Sequence, residues 1–561
     1  MSRRLHGLSI QKSAKTLEAL GKIFAFVAGL FLFVSAAAAA TSETNPTYDK
    51  MTVQQKVGQV FIWTYYGTEL SPLMQRWLEK YQPGALIVFK RNIKSTRQIA
   101  LVNQKLQALA AQKMSAPLFL MIDQEGGLVT RLRTSVPLPS ALALGKMNDS
   151  EFIETFAQAS AEVLHDVGFN VDLAPVLDIS NPNRDSFIGN RAFGENPETV
   201  AELAIAYAQG INAGGLIPTA KHYPGHGGIT QDSHRTTPQK LATYEELADK
   251  DLVPFEEYAQ SEFPRAMMMA HLSLPAIDTS GVPTTYSKIL IQSYLREKLK
   301  YDGLVITDDL EMSGASIDAD IGERAVRAFI AGNDMLMLAG SPAHQKKAFE
   351  ALLTAVKSGS ISEERLKQSV LRILNYKKAM KIGPFNFDDK RTTTAIAHLD
   401  GLSKEVHKKN FQLSVAGKTA SWPKLDPKSE VLVMSADQQF YTGFQAAYHG
   451  KSKYFHLTPQ SLERVAGELG QERYSLAIYF ASGNQTAHWL EKLPAALRSK
   501  LIVVNANHAG DVEDQKTFLS VLNINSYDPA AGFALGETLE TPPDQRAPAA
   551  KLEIPKTDEE D

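Results

Sequence analysis

No cysteine occurs among the 561 residues. That absence excludes a disulfide scaffold, a CxxC zinc ribbon, an iron–sulfur cluster, a thiol nucleophile and a lipid-modified N-terminal cysteine. It leaves the compartment open, because an exported protein can do without disulfides. A basic surplus is also missing: 59 Lys and Arg stand against 62 Asp and Glu, a net charge of −3, so no nucleic-acid partner is expected. Glycine (36) and proline (27) are at ordinary abundance, which rules out collagen-like and low-complexity architectures. No Walker-type loop and no G-x-S-x-G elbow occur, so phosphate cradling and serine acyl transfer have no sequence support. With 44% hydrophobic residues, the bulk of the chain can bury a large core.

One long apolar run is present, at the N-terminus. Five cations (Arg3, Arg4, Lys12, Lys15, Lys22) precede Ile23–Val34, followed by Ser35 and the alanines 36–40. This is the layout of an export signal cleaved near Ala40, and it predicts a periplasmic or other extracytoplasmic protein. An uncleaved anchor is the alternative, because residues 23–40 are just long enough to span a bilayer. Removing 1–40 takes away five cations and one acid, and the body becomes −7.

From residue 50 onward short apolar runs alternate with amphipathic stretches. Strands are expected at Val57–Trp63, Gly84–Lys90, Pro117–Asp123, Phe169–Ala174, Leu216–His222, Arg265–His271, Gly303–Asp308 and Asp334–Leu338. Helices are expected between them, among them Arg97–Gln112, Glu151–Val167, Pro197–Ala213, Tyr244–Ser261 and Tyr286–Leu299. Eight strand–helix units predict an α/β fold, a (β/α)8 TIM-like barrel, over residues 48–385. An open doubly wound sheet would want a glycine-rich turn after its first strand, and none stands there. Residues 386–404 read as a linker, with a linking helix at Leu402–Ala416. A second alternation, with strands at Ser429–Met434, Ser475–Ala481, Lys500–Ala506 and Leu519–Asn525, predicts a smaller α/β sandwich domain over 405–540. The proline-rich, acidic stretch 541–561 reads as a disordered tail.

Polar chemistry gathers where the barrel strands end: Asp123 and Glu125, Asp172 and Asp178, Lys221 with His222 and His226, His271, and Asp308-Asp309. In such barrels the C-terminal mouth is where catalysis sits. His222, His226, Asp232 and His234 lie close enough in sequence to suggest a metal, but Pro224 and Gly225 break the helix that an i, i+4 pair needs. No metal and no cofactor is expected. Carboxylates with Lys, Arg and His suit a polyhydroxy ligand, and a carboxylate at a strand end can be the nucleophile of a retaining glycosidase. If the strand continues through Asp308-Asp309 the two side chains point to opposite faces, so one of them reaches the sugar.

The segment Lys221–His234, KHYPGHGGITQDSH, resembles the signature loop of glycoside hydrolase family 3 in its β-N-acetylhexosaminidase branch. Ile122–Leu132 (IDQEGGLVTRL), Asp172–Ile179 (DLAPVLDI), Phe187–Gly194 (FIGNRAFG) and Leu304–Met312 (LVITDDLEM) resemble further segments of that branch in the same order. The likeness spans roughly residues 50–385, and the family's fold is the barrel expected above.

The resemblance implies a set of roles. Asp308 matches the catalytic nucleophile, His234 the acid/base and Asp232 its partner. Asp123, Arg131, Arg191, Lys221 and His222 match contacts to the sugar. Leu128 stands where the family usually has arginine, which implies altered bracing of that loop, and GGIT replaces the commoner GDT. The substrate implied is a glycan or muropeptide ending in β-linked N-acetylglucosamine (GlcNAc). Two other outcomes stay open, a β-glucosidase of the same family and a catalytically silent envelope protein that binds glycans. An uncharged acid/base would also tolerate phosphate as acceptor, so phosphorolysis stays open too.

Overall fold

The computed structural model describes residues 45–180, 188–229, 236–317 and 319–415, and after them 430–435, 441–442, 444–445, 448–456, 474–482, 501–506, 520–524 and 535. The N-terminal segment 1–40, the tail 541–561, Asp232 and His234 lie outside the described residues.

Eight parallel strands close into a barrel: β1 (Phe61–Trp63), β2 (Ala85–Val88), β3 (Phe119–Ile122), β4 (Val171–Asp172), β5 (Ile217–Tyr223), β6 (Ala266–Met269), β7 (Leu304–Asp309) and β8 (Met335–Leu338). Each pairs with its neighbours in sequence, and β1 closes the ring on β8 with Ile62 opposite Met337. The runs Ala85–Val88 and Phe119–Ile122 are buried throughout, as strands covered on both faces require.

The expected first strand is half helix. Val53–Gln59 is helical and β1 begins only at Phe61. The cause is a capping box, in which Thr52 Oγ1 accepts the Gln55 N–H at 3.2 Å and Gln55 Oε1 accepts the Thr52 N–H at 2.8 Å. The expected helix Tyr244–Ser261 is two helices, Tyr244–Ala248 and Val253–Ala259. Pro254 in the first turn of the second lacks the N–H that a continuous helix would use. The stretch expected at Tyr286–Leu299 carries a π-helix, Ile289–Lys298.

The stretch 386–404 is largely helical. One helix runs Asp389–Val415, starting well before the expected Leu402. It packs against the loop after β3: Asp400 Oδ1 accepts the Val136 N–H at 3.0 Å, His407 Nε2 lies 2.7 Å from the Pro137 carbonyl, and Asn410 Nδ2 donates to the Ala143 carbonyl at 2.8 Å.

Farther along, β9 (Glu430–Ser435), β10 (Ser452–His456), β11 (Tyr474–Ser482), β12 (Leu501–Ala506) and β13 (Ser520–Ile524) form one parallel sheet in the order β10-β9-β11-β12-β13. That is the 2-1-3-4-5 order of a doubly wound α/β layer.

At the base of the barrel Asp334, just before β8, is buried among arginines. Its carboxylate takes Arg296 at 2.6 Å, Arg372 at 2.7 Å and the Ser369 hydroxyl at 2.6 Å, and accepts the Val305 N–H at 3.0 Å. Burial works to raise its pKa, but the three arginines Arg372, Arg296 and Arg365 hold it below the usual carboxylate range. At this end of the fold such a cluster serves stability.

Candidate active site

A cavity of about 550 Å3 opens among the C-terminal ends of the barrel strands. Its walls include Asp123, Arg131, Arg191, Lys221, His222, Asp308 and Asp309, with Ile87, Leu173, Met268 and Met337 contributed by or beside the strands. Six of the eight residues singled out from the sequence therefore share one cavity; the other two, Asp232 and His234, are not described.

The loop after β3 delivers two of its carboxylates. Gln124–Gly126 and Val129–Thr130 form a tight antiparallel hairpin. Gly126 has φ +84°, and a Cβ there would lie 2.1 Å from the Pro139 carbonyl oxygen, so only glycine fits. The Gln124 side chain braces the hairpin, donating to the Leu132 carbonyl at 2.6 Å and accepting the N–H groups of Arg131 and Leu132 at 2.9 and 3.1 Å. The Gln124 N–H in turn donates to buried Asp172 at 3.0 Å. Bracing of this loop thus runs through Gln124, while Leu128 is half exposed and lines the cavity.

Lys221, at 2% exposure, is the hub. Its ammonium donates to Asp123 Oδ1 at 3.0 Å and to Glu125 Oε1 at 2.5 Å. Glu125 also receives Arg191 through two bonds, Nε at 2.8 Å and Nη2 at 2.9 Å. Burial works to raise the Glu125 pKa, but Arg191 and Lys221 drive it below the usual range. The same pairing raises Lys221 and Arg191 against burial, so all three are charged at neutral pH. Asp123 Oδ2 lies 3.4 Å from Arg131, and this carboxylate keeps part of its surface toward the cavity. Glu125 thus grips two of the expected sugar contacts, Lys221 and Arg191, at once.

His222 is oriented by a residue the sequence left without a role. Its Nδ1 lies 2.6 Å from Asp178 Oδ2, and Asp178 Oδ1 accepts the main-chain N–H groups of His222 and His226 at 3.3 and 2.6 Å. Burial pushes Asp178 up, and the two histidines and these bonds more than reverse it. With Nδ1–H committed to Asp178, Nε2 faces the cavity and sits 3.5 Å from Arg191 Nη2.

The paired aspartates at the end of β7 diverge. Burial raises Asp308, but His271, His222, the Asp309 N–H and Lys221 outweigh it and hold its pKa below the usual range. Asp309 moves the other way: burial, and then Asp308 and Glu311, push it up to about 6, although its Oδ1 accepts N–H groups of Glu311 and Ala339 at 3.1 and 3.2 Å. His271, fully buried, holds the peptide behind them: Nε2 is 3.0 Å from the Asp309 carbonyl oxygen and Nδ1 is 2.8 Å from Thr285 Oγ1. Since a carbonyl can only accept, Nε2 carries a proton.

An anionic carboxylate at a barrel strand end, facing a carboxylate–ammonium–guanidinium set suited to hydroxyls, is the equipment of a glycosidase. The family model for the glycosyl hydrolase family 3 N-terminal domain matches residues 52–376. The chain belongs to glycoside hydrolase family 3. Within the family it falls in the β-N-acetylhexosaminidase branch. It is 36% identical over 288 residues to a β-hexosaminidase of Pseudomonas aeruginosa, covering 51% of this chain and 84% of that one. It is 32% identical over 333 residues to β-hexosaminidase A of Pseudoalteromonas piscicida, where the match spans 55% of this chain and only 56% of the relative. A family 3 β-N-acetylglucosaminidase from Paenibacillus sp. FPU-7 has the same fold, with TM-score 0.74 and 29% identity, covering 89% of this chain and 97% of that one. The family 3 match takes in every strand of the barrel and every cavity residue named above.

Among the described residues no group of three His, Asp or Glu is placed to hold a metal, and no helix is long and apolar enough to cross a membrane.

Proposed function

We propose that the protein is a retaining exo-β-N-acetylglucosaminidase that removes terminal β-linked GlcNAc from cell-wall muropeptides or related glycans. The observation that carries this reading is the presence of an ionised Asp308 and the ion-paired Asp123–Lys221–Glu125–Arg191 set in one cavity. Asp123 and Arg131 accept from and donate to ring hydroxyls, and Nε2 of His222 offers a further polar contact. Asp308 attacks the anomeric carbon and forms a glycosyl ester as the C–O bond to the leaving group breaks. His234, which follows β5 in the sequence, would give its proton to the departing oxygen, with Asp232, two residues earlier, as the partner that the family resemblance implies. In the second half-reaction the neutral imidazole takes a proton from water, which hydrolyses the ester and restores Asp308. The N-terminal segment supports an exported enzyme working on wall-derived glycans outside the cytoplasm, with a membrane tether if the segment is kept.

Hydrolysis of chromogenic β-GlcNAc beside β-glucose substrates tests the reading, with Asp308→Ala and His234→Ala as controls. Release from the GlcNAc substrate, abolished in Asp308→Ala, is expected. Cleavage of the glucoside alone would make the protein a β-glucosidase. Binding of chitobiose with neither substrate nor muropeptide cut would make it a silent glycan-binding protein.

A further inference from the structure

The cavity has two kinds of wall. Its inner groups, Lys221, Glu125 and Arg191, are buried and satisfied by one another. Its outer rim carries a different chemistry, on the turn that follows β2. Arg91 is exposed there and lies between two rings, its guanidinium carbon 4.4 Å from the centroid of Phe89 and 5.3 Å from that of Tyr66. One nitrogen, Nη2, donates to Thr64 Oγ1 at 3.1 Å and to the Ala339 carbonyl at 3.4 Å. Both acceptors are neutral, and Arg91 pairs with no carboxylate among the described residues.

This arginine is held in place. Buried Asn92 accepts the Phe89 N–H at 3.0 Å and donates to the carbonyls of Tyr65 and Gly67, both at 2.9 Å. It thereby ties the Tyr66 loop to the Arg91 turn. The Tyr66 hydroxyl donates to the Gly340 carbonyl at 3.3 Å, although the ring is 59% exposed. A guanidinium stacked between aromatic faces and anchored through one nitrogen keeps its other donors in a fixed plane, the geometry suited to an oxyanion.

We propose that Arg91 is a specificity-determining residue that recognises a carboxylate on the leaving-group side of the scissile bond, resting on the glycosidase reading above. A terminal sugar engaged by the buried groups has its reducing end toward the opening. Whatever extends from it passes the exposed rim, where Arg91 supplies charge and Leu128, also lining the cavity and 51% exposed, supplies an apolar wall.

The test uses two aryl β-GlcNAc glycosides of similar leaving-group acidity, 4-carboxy-2-nitrophenyl and 4-carbamoyl-2-nitrophenyl, which differ in charge. The readout is the ratio of their kcat/KM values, which misfolding scales equally. Wild type at low salt is expected to favour the carboxylate by about fivefold, the upper range for an exposed charge pair. The ratio should fall to about one in Arg91→Gln, and in wild type at roughly 0.5 M salt. A wild-type ratio of one, or a ratio unchanged in Arg91→Gln, overturns the proposal. So does phosphate that accelerates turnover and yields the sugar 1-phosphate only while Arg91 is present, because the anion is then the acceptor. Failure to cut either glycoside would instead sink the glycosidase reading, and this proposal with it.

Discussion

The main-chain N–H of Asp309 donates to Asp308 Oδ1 at 2.8 Å, so the second aspartate serves the first through its backbone. Its own carboxyl is turned to the N–H groups of Glu311 and Ala339. Two adjacent, chemically identical side chains therefore have separate duties. Asp308→Ala is expected to lower kcat/KM by on the order of 10^4 or more, since no other group can form the ester. Asp309→Asn keeps an acceptor for both N–H groups and should lose no more than about tenfold. Steady-state kinetics on a β-GlcNAc aryl glycoside decides; equal losses would remove the division of roles.

The Asp309 pKa carries a stability consequence. A carboxyl raised to about 6 in the folded state binds its proton more tightly there than in the unfolded chain. Its favourable contribution is full at pH below about 4 and is lost as pH rises through about 6. Asp309→Asn removes that loss. Relative to wild type, the variant should gain stability between pH 4 and 7, by about 3 kcal/mol at most. Urea unfolding across this range measures it, and a gap independent of pH would refute it.

Lys221 joins Asp123 to Glu125 while almost fully buried. Lys221→Met leaves the two carboxylates without their shared cation, and Glu125 retains only Arg191. A loss of about 3–5 kcal/mol is expected, as for breaking one side of a buried pair. Activity should fall as well, even at temperatures where the variant is folded. Thermal unfolding followed by circular dichroism, beside kinetics on the folded fraction, separates the two effects.

Asp334 sits at the opposite end of the barrel from the cavity residues. Asp334→Ala strands its arginines and is expected to destabilise by about 3–5 kcal/mol while leaving kcat/KM per folded molecule unchanged. Because the folded-state pKa is depressed, this contribution is present above about pH 4 and lost as pH falls through the folded value. The stability gap between variant and wild type should accordingly narrow in acid.

Much of this was legible in the sequence. Continuous apolar runs such as LIVF and LVIT located barrel strands to within a few residues, because strands buried on both faces leave no alternation to misread. The polar residues ending those runs located the cavity. Partner choice was not legible. Glu125 meets Arg191 66 positions away and Asp178 meets His222 44 positions away, separations that only barrel closure abolishes. The helix Asp389–Val415 was obscured by the Gly383-Pro384 break and by a polar opening, while its burial depends on docking behind the β3 loop. At Val57–Trp63 the apolar run masked a capping box, T-x-x-Q, that was there to be read.

The central claim is a covalent sugar on Asp308. A fluorinated GlcNAc donor that forms the glycosyl-enzyme faster than water removes the sugar allows the adduct to accumulate. Digestion and mass spectrometry of the trapped enzyme should then place one GlcNAc-derived mass on the peptide carrying Leu304–Met312, with fragmentation assigning it to Asp308. A label on Asp309 or another carboxylate, or turnover of the donor with no adduct and inversion at the anomeric carbon, would contradict the account.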